Sequence, residues 1–527
     1  MKVSMLDSKK KQWEEDVAID LDIYLPCDYV MDGVDCDFCY KGSDGIYGYD
    51  LVSKEYKEII DYGASYMMNV DTDGMINVGE NRFVGKTEHF VDNVIQITLV
   101  SYEKKDENAV TSKQKITLGT MYPGNDLKSA IAKYNRSNAD YEVVIEDYSD
   151  MEMDRLLADF VSGKGQDIID MNTFPLSVAQ CVSKGMLEDL SPYYDSDEEL
   201  SMDDLMESVR RAMEYNDKIY YLASSFSIQT IAVKKEDVGD CTGWSVLDLK
   251  ALMDSNAKSK DLFSIKDIKE GYLYLLTFGD FSDYVDWENG SCCFDSKAFK
   301  YILELCDEKG LREEHDRTME DVWEEVDSKY SRLQNSKYLL LEENEMNLNL
   351  IQFERKAIKS ELAYVGCPNE AKNGSMFTFD NRFAISSQSN HKEQAWRFIR
   401  TFLLKEYQRN IDEECGMPIT QDMFEAKLKE MTTTESYVNE FGDVIEPVEE
   451  YSMKWGDIEV KMGIPNQKDI DVYMNLINNT KRCADHDEVI YNIMMEEISD
   501  YFDRRRQLDE TVEIVQKRVT TYINEQK

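Results

Sequence analysis

Residues 115 to 190 hold three strand-then-helix units in succession, and this alternation constrains the fold more than any other feature of the sequence. Strands joined through helices pair in parallel with right-handed crossovers, so the stretch predicts an α/β fold. Sheets of this kind bind ligands in the crevice beyond the carboxyl ends of their strands. We therefore expect ligand contacts after Met121, Tyr148 and Met171. The predicted strands span 115–122, 141–148 and 166–174, and the predicted helices span 125–138, 151–165 and 178–190.

The acidic composition limits the partners of the chain. Its 527 residues include 105 Asp and Glu against 60 Lys and Arg, which gives a formal net charge of −45. Because phosphate binding needs a basic surface, this charge argues against nucleic acid and against docking on anionic lipid. The sequence has no run of about 18 apolar residues, the length that a membrane-spanning helix needs. Length and composition together are typical of a globular protein with roughly two to four domains.

The cysteines and histidines of the sequence form no arrangement that predicts catalysis or zinc binding. Its 11 cysteines and 4 histidines are scattered. Cys36-x-x-Cys39 is the one cysteine pair with ligand-like spacing, and zinc needs about four ligands. We interpret the cysteines as buried or half-buried thiols. No GxxxxGK or GxGxxG phosphate loop is present, and no histidine follows a predicted strand where it could activate a nucleophile. We therefore expect no metal, no cofactor and no enzymatic activity.

Residues 1 to 112 differ from the rest of the chain and predict a β-rich segment. Their spacing is typical of small antiparallel sheets, which we interpret as the remnant of one or two propeller blades. A polar linker at 104–114 separates this segment from the α/β part. The predicted strands lie within 37–51, on either side of an Asp44-Gly45 turn, and at 56–62, 82–87 and 93–103.

The stretch Asn69–Glu80 has the ligand spacing of a calcium loop. Gly74 occupies the sixth position and Glu80 the twelfth, as such loops require. The first position is Asn rather than Asp, which removes one negative charge, and the flanks are typical of strands rather than of the helices of an EF-hand. We interpret the stretch as an Asx-rich turn, and calcium binding stays open as the alternative.

The remainder of the chain continues the mixed pattern. Two strands broken at Ala223–Ser225 are predicted within 218–235, and helices are predicted at 242–255 and 271–281. Residues 307–360 are highly charged and predict helix. The later segments predict a strand at 360–370, a strand pair at 376–389, an amphipathic helix at 392–411 and a nearly all-helical tail at 467–527.

Several segments share their order and spacing with one known family. They read DLKSAIAKYNRSNADYEVVIEDY (126–148), SGKGQDIIDMN (162–172), SKGMLEDLSPYY (183–194), DKIYYLASSFSIQTIAVKK (217–235), YVGCPNE (364–370), FAISSQSNHKEQAWRFIRTFLLKEYQRNI (383–411) and ISDYFDRRRQLDETVEIVQKRVTTYINEQ (498–526). From about residue 113 to the end, the chain resembles the extracellular solute-binding proteins of ABC transporters, family 1, the maltose-binding type. Relatives usually have Pro-Asp-Ile at the third strand, where this chain has Gln166-Asp167-Ile168.

The resemblance implies a periplasmic-binding-protein-like fold of type II, a clamshell of two α/β lobes that closes around a ligand. It places lobe 1 at about 113–224 plus 370–410, and lobe 2 at about 225–369 plus 411–527. The crossings between lobes are expected near Ser224–Thr230 and Tyr364–Pro368. The first twenty residues have no apolar core or cleavage site of a signal peptide. The expectation is thus a chain that is not exported as given, or one whose natural start lies upstream.

The resemblance also implies a function. The expected activity is capture of a small solute, with a carbohydrate favoured, by an extracellular, lipid-anchored and monomeric protein that delivers it to the permease of an ABC transporter. A sensor or scaffold module without transport, a binding protein for peptides or other non-sugar solutes, and an inactive fragment stay open as alternatives.

Candidate ligand contacts are aromatic and polar residues near strand ends and crossings, since flat rings suit sugar faces and each hydroxyl needs a partner. Each has a structural alternative: Asp126 as a helix N-cap, Phe174 and Phe226 as core residues, Trp287 as a lobe-surface residue. Trp455 is a further cleft candidate. The predicted contacts are Tyr122, Asn125, Asp126, Asn172, Thr173, Phe174, Ser224, Ser225, Phe226, Asp280, Trp287 and Tyr364.

Overall fold

In a computed structural model, the chain divides into two units. Unit 1 comprises Met1–Ile116, Tyr122–Val144 and Val438–Val444, and unit 2 comprises Thr117–Met121, Ile145–Tyr437 and Ile445–Lys527. The structure describes residues 2–3, 6–7, 10–13, 17–18, 30–33, 36–42, 45–62, 65–67, 75–79, 82–91, 94–103, 113–149, 153–160, 165–256, 261–264, 267–312, 328–412 and 416–526.

Antiparallel strands make up most of unit 1: β1 (Lys2–Val3), β2 (Leu6–Asp7), β3 (Gln12–Trp13), β4 (Val17–Ala18), β5 (Val30–Asp32), β6 (Phe38–Lys41), β7 (Gly45–Tyr49), β8 (Tyr56–Asp61), β9 (Ile76–Gly79), β10 (Arg82–Val91) and β11 (Val94–Glu103). In the described residues, β5 to β8 pair in chain order, and a second sheet has the order β11-β10-β9. Strands lie at each place where the sequence predicts them in this segment. The resemblance to propeller blades stays a prediction.

A small apolar core lies beneath these strands, formed by Met31, Cys39, Ile46, Tyr62, Met67, Met75 and Phe83. The candidate calcium loop cannot be placed against it, because Asn69 to Gly74 and Glu80 lie outside the described residues. The same holds for most of the predicted linker at 104–114.

Seventeen helices occur in the described residues: α1 (Asn125–Ser137), α2 (Met153–Asp159), α3 (Val178–Ser183), α4 (Ser191–Ser196), α5 (Glu207–Met213), α6 (Lys235–Val238), α7 (Val246–Asn256), α8 (Lys269–Thr277), α9 (Lys297–Lys309), α10 (Lys329–Gln334), α11 (Leu348–Ile358), α12 (Lys392–Ile399), α13 (Lys405–Gln408), α14 (Gln421–Thr432), α15 (Gln467–Asn479), α16 (Glu488–Phe502) and α17 (Leu508–Glu525). None of these described helices has both the length and the hydropathy of a membrane span.

The remaining strands are mostly short: β12 (Gln114–Thr120), β13 (Tyr141–Asp147), β14 (Ile168–Asp170), β15 (Tyr221–Leu222), β16 (Ser225–Lys234), β17 (Val285–Asp286), β18 (Ser291–Cys292), β19 (Leu341–Met346), β20 (Leu362–Tyr364), β21 (Met376–Asp380), β22 (Phe383–Ile385), β23 (Met417–Pro418), β24 (Tyr437–Val438), β25 (Val444–Ile445), β26 (Tyr451–Trp455), β27 (Ile458–Met462) and β28 (Arg482–Cys483). Most of them belong to two larger sheets.

The first sheet has the order β13-β12-β14-β22-β15 in the described residues. β12 and β14 pair in parallel, with Leu118 opposite Ile168, whereas β22 runs antiparallel to β14. The intervening helix α1 forms because Leu127 and Ile131, four residues apart, place one apolar face in the core. The predicted α/β class is therefore confirmed, with β12, α1, β13 and α3 starting within one residue of their predicted positions.

The second sheet is organised around β16, whose ten residues are all buried. β16 pairs antiparallel with β19, β20, β21 and β23, and β28 joins β21 in parallel. The apolar residues Phe226, Ile228, Ile231 and Val233 of β16 are interspersed with buried polar ones such as Thr230, whose hydroxyl lies 2.8 Å from the Ser375 hydroxyl.

In the described residues, the chain passes between the two sheets three times, and the third passage lies between β22 and β23. It leaves the first sheet after Leu222 and enters the second at Ser225, at the start of the predicted crossing Ser224–Thr230, the rest of which lies within β16. It returns through Asn381 and Arg382, beyond the predicted crossing at Tyr364–Pro368. The difference arises because Tyr364 pairs with Ala232 inside the second sheet and the following strand, β21, also belongs to that sheet.

The crossing that precedes Ser225 and the crossing at Asn381 and Arg382 are hydrogen-bonded to each other. The backbone N–H and the hydroxyl of Ser224 both donate to the Asp380 carbonyl, each at 3.0 Å. The Asn381 amide donates to the Ser224 hydroxyl at 3.0 Å, and the Ser225 hydroxyl donates to the Asp380 carboxylate at 2.9 Å. These side chains therefore hold the two connecting segments side by side.

Two helix predictions were wrong in part. Residues 307–360 include the strand β19, because its LEENEM sequence places Leu341, Glu343 and Met346 in the interior when it extends along β16. The predicted helix at 392–411 ends at Ile399 and continues as a 3-10 turn (Arg400–Leu403) followed by α13.

Candidate functional site

A cavity of about 940 Å³ lies within unit 2. Five chain segments that are far apart in sequence form its walls, and each contributes the end of a helix or a turn. They are residues of 177–183 in and just before α3, residues of 211–220 at the end of α5 and beyond it, residues of 281–288 around β17, residues of 481–490 before and into α16, and Ile523 with Gln526 at the end of α17. The cavity therefore exists only when distant parts of the chain pack together.

Aromatic side chains line one part of this cavity. Trp287, Tyr215, Tyr220 and Phe281 all contribute to the lining. Trp287 lies in the turn between β17 and β18, and its ring meets the ring of Tyr522 edge-on, with centroids 5.9 Å apart at 79°. The turn is closed by the Gly290 N–H, which donates to the Asp286 carbonyl at 2.8 Å. A half-buried tryptophan is thus held in place at the cavity wall.

Arg482 is the principal buried cation of the lining. Its guanidinium contacts the carboxylates of Asp283 at 2.5 Å and Asp280 at 3.3 Å and donates to the Ser282 hydroxyl at 2.7 Å. Burial disfavours the charge of Arg482, but the two carboxylates outweigh that effect and raise its pKa. Asp280, a predicted ligand contact, is instead buried against Arg482.

Asp485 connects three parts of the cavity wall. Its carboxylate accepts hydrogen bonds from the N–H groups of Val178 (2.7 Å) and Ala179 (3.0 Å) and from the Tyr215 hydroxyl (3.0 Å). The buried Arg382 guanidinium lies 3.5 Å from it and stacks over the Tyr221 ring. The Asp485 N–H itself donates to Asp280 at 3.0 Å. A buried carboxyl group with this many donors is held in one position by its partners.

Asp487 has a different electrostatic setting. It caps α16 by accepting from the Ile490 N–H at 3.0 Å, and the Ser177 hydroxyl donates to it at 3.3 Å. Burial raises the pKa of Asp487 to about 6, and the nearby charge of Asp485 adds to the shift. The capping hydrogen bonds act in the opposite direction without cancelling it. Asp487 is therefore a carboxyl of the cavity wall that titrates near neutral pH.

Three of the predicted contacts lie in unit 1, apart from this cavity's lining. Tyr122 has a backbone φ of 52° and a side chain that is 78% exposed. Asn125 and Asp126 are exposed in the first turn of α1. The alternative reading of Asp126 as the N-cap is wrong, because Gly124 occupies that position.

Three of the predicted ligand contacts follow β14, and their side chains contact neighbouring parts of the chain. The Thr173 hydroxyl accepts from the Met121 N–H at 3.1 Å, and the Asn172 amide donates to the Phe379 carbonyl at 3.0 Å. Phe174 packs against Phe160, with centroids 5.3 Å apart. Thr173 and Phe174 also line a second cavity of only about 10 Å³, which is too small for a solute.

Of the contacts predicted at the crossings, Ser224, Ser225 and Phe226 are buried, and Tyr364 is half-buried within the second sheet. Ser224 and Ser225 make the hydrogen bonds described above, and Phe226 packs edge-on against Phe377 at 5.5 Å, as a hinge-core residue would. The Tyr364 hydroxyl donates to Glu354 at 2.6 Å. Of the twelve predicted contacts, Trp287 alone lines the large cavity, and the ligand role of all twelve stays a prediction.

The sequence reasoning did not select Tyr215, Arg482, Asp485 or Asp487. A signal was present in KRCADHD (481–487), a charged segment that directly precedes the helix α16. Charged residues before a helix start are normally caps, so only the packing of this segment against α3 distinguishes its role. In the described residues, no cluster of three or more His, Cys, Asp or Glu side chains is arranged to hold a metal ion.

Comparison with known proteins gives distant structural likenesses. An ABC substrate-binding protein from Listeria monocytogenes in complex with cycloalternan is 15% identical, with a TM-score of 0.44, over 78% of this chain and 100% of its own. A solute-binding protein of an ABC transporter from Thermotoga lettingae, bound with α-D-tagatose, has the same identity, TM-score and coverage. The sugar-binding protein MalE from Xanthomonas citri is 12% identical, with a TM-score of 0.46, over 78% of this chain and 98% of its own.

No protein-family model matches the sequence, and no curated protein does. Because the structural likeness is distant, the α/β assignment rests on the strand pairing of this chain itself. The solved structures named above are ABC solute-binding proteins and the sugar-binding protein MalE.

Proposed function

We propose that this chain is a solute-binding protein that captures a small polar solute, with a carbohydrate favoured, in the 940 Å³ cavity of unit 2. The observation that carries the proposal is the combination of Trp287 with charged and amide side chains in one cavity. Ligand sites for small molecules typically have about 300–1,000 Å³ and a few polar groups among apolar ones.

The chemistry of the lining suits a sugar. An aromatic ring offers a large apolar surface to the C–H face of a pyranose at little cost in side-chain entropy. Each sugar hydroxyl needs a hydrogen-bond partner when it leaves water. The cavity supplies such partners at Glu214, Asn216, Glu288, Lys481 and Gln526. Arg482 and Asp485 are each bonded to several protein groups. They therefore stabilise the wall rather than supply hydrogen bonds to a ligand.

The two hydrogen-bonded crossings support a hinge. Segments that connect two sheets through only a few residues can absorb the dihedral changes of closure. A solute that contacts both walls of the cavity then shifts the protein toward its closed form, by no more than its difference in affinity for the two forms. Ser224, Asp380 and Asn381 are the residues whose hydrogen bonds hold the crossings together.

The remaining parts of the proposal follow from this role. The protein binds its solute without chemical change, acts outside the cell as a monomer, and passes the solute to the permease of an ABC transporter. Neither nucleic acid nor anionic lipid is a partner, since the net charge of −45 opposes both.

Thermal unfolding of the full chain with a panel of solutes tests the proposal. The panel contains mono- and oligosaccharides, amino acids, peptides and polyamines. We expect a sugar to raise the unfolding midpoint, because a ligand at 100 times its Kd stabilises the native state by about 2.7 kcal/mol. X-ray scattering should show compaction with the same sugar. A shift with a peptide and with no sugar would refute the carbohydrate class.

A pair of tryptophan variants then tests the location of the site. Trp287→Ala should abolish or strongly reduce the sugar-dependent shift. Trp455→Ala is the matched control, because Trp455 is also partly exposed, at 46%, but lies on β26 outside the cavity lining. Equal effects of the two variants on sugar affinity, with both proteins folded, would exclude the cavity as the binding site.

A further inference from the structure

Two cysteines of unit 1 bring their sulfur atoms together. The Sγ atoms of Cys36 and Cys39 lie 3.6 Å apart. Cys39 is a fully buried residue of β6, opposite Met31 of β5 and Gly48 of β7. Cys36 precedes that strand and is only half-buried. The two cysteines of the Cys36-x-x-Cys39 motif are therefore a pair of thiols whose sulfur atoms are in van der Waals contact.

Gly48 creates the space that the Cys36 sulfur occupies. Gly48 lies directly opposite Cys39 in the sheet, and a Cβ atom added to it would be 2.6 Å from the Cys36 Sγ. That distance is shorter than any real contact of a Cβ atom, so a side chain at position 48 would displace the sulfur. Gly33 is similarly constrained, since its Cβ would lie 1.9 Å from the Cys36 carbonyl oxygen. The Cys36 side chain thus sits in a niche bounded by two glycines.

We propose that Cys36 and Cys39 are a disulfide-forming pair, oxidised by exchange with a small-molecule disulfide. A disulfide has an S–S length of about 2.05 Å, so the two sulfurs must approach by roughly 1.5 Å. Rotation of the half-exposed Cys36 side chain can supply this movement without displacing the buried strand. The product is a short covalent loop at the start of β6, next to the core cluster that contains Cys39.

The difference in burial fixes the order of the exchange steps. The thiolate of Cys36, which solvent reaches, attacks one sulfur of the small disulfide and expels the first thiolate. The thiolate of Cys39 then attacks the Cys36 sulfur of this mixed disulfide and expels the second. The two protons of the protein thiols pass to the two leaving thiolates. The two electrons reduce the small disulfide to two thiols, and the protein gains one S–S bond.

Mass spectrometry of the full chain tests this proposal. The reduced protein is freed of reductant and incubated with oxidised glutathione, and its remaining thiols are alkylated. We expect a fraction that carries two alkyl groups fewer than the fully reduced and alkylated protein, and a proteolytic peptide in which Cys36 and Cys39 are joined. Alkylation of both residues to the same extent before and after oxidation would overturn the proposal, and so would zinc retained by the pair in place of the bond.

Single variants identify the roles of the two sulfurs. Cys39→Ser should accumulate glutathione on Cys36, because the second exchange step is lost, whereas Cys36→Ser should take up none at position 39. Gly48→Ala should slow bond formation by displacing the Cys36 sulfur. Cys293→Ser is the control, since Cys293 is exposed and distant in sequence, and it should leave the joined peptide unchanged. Circular dichroism confirms that each variant is folded. Failure of Cys39→Ser to trap glutathione, in a folded protein, would refute the assigned order.

Discussion

The substitution Asp485→Asn keeps the size of the side chain and removes its charge. The resulting change in the free energy of unfolding measures how much the contacts of this carboxylate stabilise the cavity wall. The Oδ1 atom accepts from Val178 and lies 3.5 Å from Arg382, and the Oδ2 atom accepts from Ala179 and Tyr215. An asparagine has one acceptor oxygen. It can retain the Oδ1 contacts, but its NH₂ group then faces the Ala179 N–H.

The cost has two parts. An unpaired, largely buried N–H group costs about 1–3 kcal/mol. Breaking a buried ion pair costs about 3–5 kcal/mol, and the lower end applies because Arg382 keeps its hydrogen bond to the Ala484 carbonyl (3.0 Å) and its stacking on Tyr221. Since the Tyr215 hydroxyl can rotate to accept from the new NH₂ group, it adds no cost. The two parts together predict a loss of about 4 kcal/mol or more in the free energy of unfolding.

Urea unfolding followed by circular dichroism measures this loss, with the m-value compared between variants. Asp254→Asn is the matched control, because Asp254 is exposed near the end of α7, and it should change stability by less than about 0.5 kcal/mol. A loss below about 1 kcal/mol for Asp485→Asn, at an unchanged m-value, would refute the reasoning, because the carboxylate would then not hold α3 and Arg382 as described.

Three further predictions concern buried polar groups. Burial raises the pKa of Asp487 from 3.8 to about 6, so the folded protein binds a proton at this carboxyl more tightly than the unfolded chain does. The stability that this proton contributes is present below about pH 4 and is lost as the pH rises through 6. The thermal midpoint of Asp487→Asn, relative to the unsubstituted protein, should therefore be higher at about pH 7 than at about pH 4, and a pH-independent difference would contradict this. Gln408→Leu should cost about 3 kcal/mol or more in urea unfolding, because the buried amide donates to the Ser224 and Phe402 carbonyls and accepts from the Ile419 N–H; a change within about 0.5 kcal/mol would show that these groups find other partners. Asp469→Ala should cost about 3–5 kcal/mol, since this fully buried carboxylate pairs with Arg355 at 2.5 and 2.9 Å, whereas the exposed neighbour Lys468→Ala should cost less than about 1 kcal/mol.

The sequence predicts the parts of this fold that depend on local patterns. The break at Ala223–Ser225 between β15 and β16 and the alternation from β12 to α3 both follow from apolar spacing and from residues that interrupt it. The strand β19 was missed because its charged LEENEM sequence has helix-forming residues, and its extended form depends on pairing with β16. The return crossing was misplaced for the same reason, since Tyr364 extends the second sheet only by pairing with Ala232.

The candidate site is less predictable than the fold. Trp287 could be selected from its own neighbourhood, as a tryptophan in a turn after a helix. Asp485 could not, because its significance lies in donors that are about 300 residues earlier in the chain. From the local sequence, a charged residue before a helix can be interpreted either as a helix cap or as part of a site. Only the tertiary packing decides between these two interpretations.

The central position of β16 has a consequence for how the protein is made. β16 is complete once residue 234 is synthesised, yet its partners come from residues 341 to 418, and β28 closes the same sheet only at Cys483. At about 5–20 residues per second, a ribosome needs roughly five to twenty seconds to reach β19, the first of these partners. During that interval, a strand of ten interior residues has no sheet to join. Release before residue 483 leaves the second sheet without its last strand, β28.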